Sequence, residues 1–217
     1  MNKRILAITL ALLMILPQAM ALEMAYDAQT NTLSGAAPGF LIKNLGTDEQ
    51  PRYTKIAEVT IPEGLKDLGG LKSDPLEQNF FLVPADETSF ADTILIMYMP
   101  GKKAEDMAAV YGQYQDFLSM TEAENRSFAG HNVHLRTLLH EEYDYDDMGN
   151  KTDLLGYYLS CATYTNAGDG ALMVAVFTKT TLDPNTLPAP DALYALLETL
   201  YSGIQLEKNF NETEEGQ

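Results

Sequence analysis

Tryptophan is absent from the 217 residues, cysteine occurs once, histidine three times, and 14 basic side chains face 31 acids. A single cysteine excludes an intrachain disulfide framework and any cysteine-rich zinc site. It also excludes a lipoprotein, because lipid attachment needs a cysteine at the cleavage site and Cys161 lies far downstream. The shortage of lysine and arginine leaves a net charge of −17. Such a surface repels nucleic acid and anionic lipid heads and favours cations or basic protein patches, although the same charge also serves solubility. Nucleotide and hydrolase signatures are missing too. There is no GxSxG elbow and no P-loop, and Gly168 and Gly170 are followed by Ala-Leu-Met where a dinucleotide fingerprint needs a third glycine.

The histidines offer little metal chemistry. His140-Glu141-Glu142-Tyr143-Asp144 begins like the zinc-protease HExxH but has Asp144 where the second histidine must stand. That motif also needs a helix, and this segment alternates like a strand. His134 and His140 share a strand face, yet six residues of strand hold them roughly 20 Å apart. His131, His134 and His140 therefore read as surface residues. Cys161, inside the apolar YYLSCATY, has neither a helix N-terminus nor a nearby base and reads as a small core residue. No catalytic, cofactor-binding or metal-ligating residue is assigned, and no cofactor is implied.

Long apolar runs are also missing, with one exception. Lys3 and Arg4 precede the apolar run Ile5–Leu16, Pro17 breaks it, and Ala19-Met20-Ala21 supplies small residues for a signal peptidase. Twelve residues span about 18 Å of a hydrocarbon core roughly 30 Å thick, so the run reads as a signal peptide, residues 1–21, and not as an anchor. The chain is thus expected to be exported, to periplasm or medium, with no stable membrane insertion after cleavage. Removing Lys3 and Arg4 leaves 12 basic residues against 31 acids, a net −19.

What is present is a single-domain pattern. Residues 22–52 are polar and turn-rich, an N-terminal arm or hairpin, and residues 207–217 form an acidic tail. Between them, residues 53–206 make one domain. IAEVTIP and NFFLVP read as strands, and EGLKDLGGLKSDP as a loop. TILIMYMP carries Ile94, Ile96 and Tyr98 on one face and Leu95, Met97 and Met99 on the other, which predicts a central strand covered on both sides. AEDMAAVYGQYQDFLSM predicts an amphipathic helix whose stripe is Met107, Val110, Tyr111, Tyr114, Phe117 and Leu118. Three extended runs follow, joined by the acidic stretch and by Gly168-Asp169-Gly170, and predict an antiparallel meander. Pro188, Pro190 and Asp191 open a second helix with Leu193, Leu196, Leu197, Leu200 and Tyr201 inward and Gly203 as its stop. The fold class expected is α+β.

IPEGL, FFLVPADE, DTILIMYM, FAGHNVHLR, GYYLSCATYT, DGALMVAVFT and LYSGIQL, in this order over residues 53–206, resemble the PsbP-like family. Leu65 stands where the family's opening phrase carries an aromatic, and the arm before it is a further departure. The resemblance implies a central antiparallel sheet with helices packed on both faces. It also implies a non-enzymatic role, as in an extrinsic photosystem subunit or a nuclear import factor. No functional residue of those proteins has a matching motif here.

Two features remain. Met97 and Met99 form an M-x-M pair of the kind that binds cuprous copper, with no further methionine or histidine close in sequence, and read as core filler. Residues 141–153, EEYDYDDMGNKTD, match an EF-hand loop at Asp144, Asp146 and Gly149 but place Met148 and Leu155 where oxygen ligands are required. The stretch reads instead as a hairpin tip, negative and tyrosine-bearing. The expected function is a non-catalytic interaction module for a protein with a basic surface. An extracytoplasmic hydrolase and a weak divalent-cation binder are the alternatives. An exposed apolar patch beside the acids favours the first, and a deep polar pocket with a buried acid or histidine favours the second.

Overall fold

The computed structural model describes residues 25–27, 32–34, 40–44, 47, 53–67, 79–111 and 117–207. The leader read in residues 1–21 and residues 208–217 of the tail lie outside them.

Alternating apolar residues make strands; among the described residues every strand pair is antiparallel, and seven of the ten pairs join strands consecutive in sequence. The main sheet has the order β5 (Leu65–Asp67), β6 (Asn79–Pro84), β7 (Ala91–Pro100), β12 (Gly170–Thr178), β11 (Lys151–Ala167), β10 (His131–Tyr145) and β8 (Ser119–Met120). A further strand, β9 (Glu124–Phe128), pairs with the start of β10. The meander β10–β11–β12 turns at Gly168-Asp169, where Gly168 has φ 55° and Tyr98 donates a 2.6 Å hydrogen bond to Asp169. β7 is two-sided. Ile94, Ile96 and Tyr98 enter the larger core, while Leu95, Met97 and Met99 pack against a smaller one.

A second sheet has the order β13 (Ile204–Leu206), β4 (Tyr53–Val59) and β3 (Phe40–Asn44). β3 lies inside the stretch read as an arm, yet it pairs with β4 and buries Leu41, so that part belongs to the body. β1 (Ala25–Asp27) and β2 (Thr32–Ser34) form a separate hairpin. Leu65–Asp67, read as loop, is strand β5.

The α+β sandwich with helices packed on both faces is corrected: the molecule is mostly β-sheet. The larger core lies between the main sheet and a cover built from the second sheet together with α2 (Pro190–Ser202). Leu193, Leu197, Leu200, Tyr201 and Ile204 meet Val174, Val176 and Cys161 there. Among the described residues, the opposite face carries only α1 (Ala104–Val110), a helix of two turns. The helix predicted through Met120 ends at Val110, and Tyr111 already has a non-helical ψ of 126°. Residues 117–121 then meet the free edge of β10. The Leu118 amide donates to Leu139 at 2.7 Å, the Thr121 amide to Thr137 at 3.0 Å, and Met120 pairs with Leu138. An open sheet edge offers backbone partners that outcompete a local helix. Phe117 and Leu118, expected in the buried stripe, are exposed.

Candidate functional site

β10 and β11 are the longest strands, and their distal halves outrun the sheet. β9 leaves β10 at Leu135, β8 pairs only Leu138 and Leu139, and β12 joins β11 only from Ser160 onward. Glu141–Tyr145 and Lys151–Gly156 therefore pair with each other as a two-stranded ribbon, about 15–20 Å long at strand rise. Register shifts at Glu142/Tyr143 and Tyr143/Tyr145 leave extra residues on β11, Leu155 among them. Such bulges raise the twist and re-aim side chains.

Asp146 builds the tip. One carboxylate oxygen accepts the amides of Met148 (2.9 Å) and Asn150 (2.8 Å), and the other accepts the Asn150 side-chain amide (2.9 Å). These bonds, that from the Asn150 side chain foremost, hold its pKa below the ordinary 3.8. Tyr143 donates to Glu141 at 2.8 Å, and Lys151 lies 4.8 Å from the Tyr143 ring centre. Thr180 donates to Glu142. Among the described residues, the side chains of Asp147 and Asp153 accept no hydrogen bond.

Apolar side chains stand exposed between these acids: Tyr145 (55%), Met148 (83%), Leu154 (39%) and Leu155 (47%). Leu182, 79% exposed, follows Thr181, which exchanges backbone hydrogen bonds of 2.8 and 2.9 Å with Tyr157 at the base of the ribbon. That approach requires Gly156. A Cβ there would lie 2.5 Å from the Thr181 carbonyl oxygen and 2.8 Å from a Thr180 methyl, at φ +149°. The acids and tyrosines were visible in the sequence. The exposure of Leu154 and Leu155 was not, since LLGYYLSCATYT reads as one continuous strand, nor was that of Leu182.

The other expected residues fall elsewhere. His131 is half-buried, bonding the Ile204 carbonyl at 3.1 Å and meeting the Tyr201 ring. His134 is also half-buried and lines a hollow of about 430 Å³ with Asn125, Ser127 and Asn132. His140 is corrected from surface to core: it is 3% exposed, stacks on Tyr158 with ring centres 4.5 Å apart, and bonds Ser160 at 2.7 Å. Tyr111 donates to the same Ser160 hydroxyl at 2.9 Å, and burial pushes its phenol up to about 12. A histidine–serine contact invites a nucleophile reading, but Ser160 is wholly buried under α1 and Tyr111, so no substrate carbonyl reaches it. Cys161 is likewise buried, with its thiol pushed up to about 11 by burial. Thiolate chemistry is suppressed there.

No family model, curated protein or solved structure matches this chain. The resemblance to the PsbP-like family thus gains nothing from comparison, and the ribbon has to be judged on its own chemistry.

Proposed function

We propose that the protein is an exported, non-catalytic interaction module that docks a partner with a basic surface through the distal β10–β11 ribbon. The observation that carries this reading is the exposure of Tyr145, Met148, Leu154, Leu155 and Leu182 among Glu141, Asp144, Asp147 and Asp153. Exposed large apolar side chains have a cost in water that a partner removes. A rim of one sign selects the opposite sign and speeds encounter. Export is supported by the basic start, apolar run and Ala-Met-Ala site of residues 1–21.

The test uses paired variants. Asp144, Asp147 and Asp153 are changed together to Asn in one, and Met148 and Leu155 to Ser in the other, leaving Asp146 to hold the turn. Wild-type and variant proteins serve as bait on an envelope fraction at 50 and 500 mM salt. A partner held by wild type at low salt and lost from both variants supports the reading. Equal capture by all three proteins overturns it.

A further inference from the structure

The sequence pairs Met97 with Met99 on one face of β7, and the fold brings two more thioethers to them. Met173 of β12 stands directly opposite Met97, and Met99 lies two residues along the same face. Directly opposed Cβ atoms in an antiparallel pair lie about 4.5–5.5 Å apart and diagonal ones about 7–8 Å, within reach of long side chains. Met107 packs onto the same cluster from α1. Four of the ten methionines, drawn from three elements, share this one small core.

The surroundings are specific. Ala104, Ala108, Ala162, Ala171 and Ala175 are fully buried in the cluster beside Tyr164, so most of its buried members are small. Met173 is 8% exposed, while Met97, Met99 and Met107 are only half-buried, so these residues stand at the margin of the core. Gap-filling accounts for a methionine in an irregular core site one at a time. It does not call for four of them to converge at a half-open edge.

Thioether sulfur carries no proton and no charge, and it is a soft donor that selects cuprous copper over hard or borderline cations. The net charge of −17 raises the local concentration of any cation. We propose that Met97, Met99, Met107 and Met173 form a thioether site for cuprous copper beneath α1. The site stands apart from the docking ribbon and does not depend on it.

The test is anaerobic titration of the full chain against cuprous copper held by the chromogenic chelator bicinchoninate. One copper withdrawn per chain is expected. A Met97→Leu/Met173→Leu variant, which conserves volume and apolarity, should bind at least tenfold more weakly with an unchanged far-UV spectrum. Met120→Leu, Met148→Leu and Cys161→Ser, all outside the cluster, should bind as wild type does. If the double variant fails to fold, methionine methyl resonances of wild type decide: copper should move those of Met97, Met99, Met107 and Met173 and leave Met120 and Met148 in place. Failure to withdraw copper, retention of binding by the folded double variant, or shifts confined to Met120 or Met148 would overturn the site.

Discussion

Gly156 is the residue on which the shape of the patch turns. Its φ of +149° lies where side chains rarely go, and the Thr181 backbone and a Thr180 methyl pass too close for a Cβ. Gly156→Ala is therefore expected to cost about 1–3 kcal/mol in urea unfolding. It should also free Leu182 from the ribbon, read as faster amide exchange at Thr181 and Tyr157. Unchanged stability and exchange would mean that the loop is not anchored there. Asp146 acts at the same scale. Its folded pKa is depressed, so its contribution to the turn is present above the ordinary 3.8 and lost as pH falls through the lower folded value. Carboxyl NMR should give a midpoint below 3.8, with the Met148 and Asn150 amides shifting in the same step. A midpoint at or above the ordinary value would remove Asp146 as organiser of the tip.

α1 shows how a short element is held from outside itself. Lys103 at its N-cap makes no side-chain cap bond, and Asn166 of β11 takes the Ala104 amide at 2.9 Å instead. A helix of seven residues has little stability of its own, so this distant cap matters. Asn166→Ala is expected to cost about 0.5–2 kcal/mol. Hydrogen exchange should quicken over residues 104–111 and stay slow in β12, whereas uniform loss of protection would show that α1 is part of the global unit. The same element marks the limit of what sequence could tell. The β10–β11–β12 meander was legible because its strands are long and consecutive in the chain, and β7, which pairs with its neighbour β6 and with the distant β12, was legible because its run is apolar on both faces. The stripe through Phe117 and Leu118 had helical spacing as well, but the competitor was the edge of β10, and a non-local partner leaves no trace in local periodicity. β13 comes from the far end of the chain to pair with β4, whose other neighbour is the preceding β3, and two of the three are five residues or fewer. Only their mutual pairing makes them a sheet. His140 looked external because strand alternation says which residues share a face, not which face another element will cover. The ribbon was half legible: its acids are composition, while its apolar exposure depends on bulges and on where neighbouring strands stop.

At the scale of the whole molecule, charge and apolar burial oppose one another. A net charge of −17 repels itself most in the compact state, and the larger core between the main sheet and its cover supplies the opposing attraction. Salt separates these contributions, since the Debye length falls from about 10 Å at 0.1 M to about 3 Å at 1 M while buried contacts are little affected. Raising sodium chloride from 0.02 to 1 M should therefore raise Tm, because screening relieves repulsion that the unfolded chain already escapes. The same salt should weaken docking of a basic partner at the ribbon, where the acids are exposed and attraction acts through water. One variable is thus expected to move stability and binding in opposite directions, followed by thermal unfolding and by capture of the partner on immobilised protein. If Tm stays flat while binding falls, the acids matter to the partner and not to the fold. If Tm rises while binding holds, the apolar side chains of the patch carry the docking and the acids serve only to keep the chain in solution.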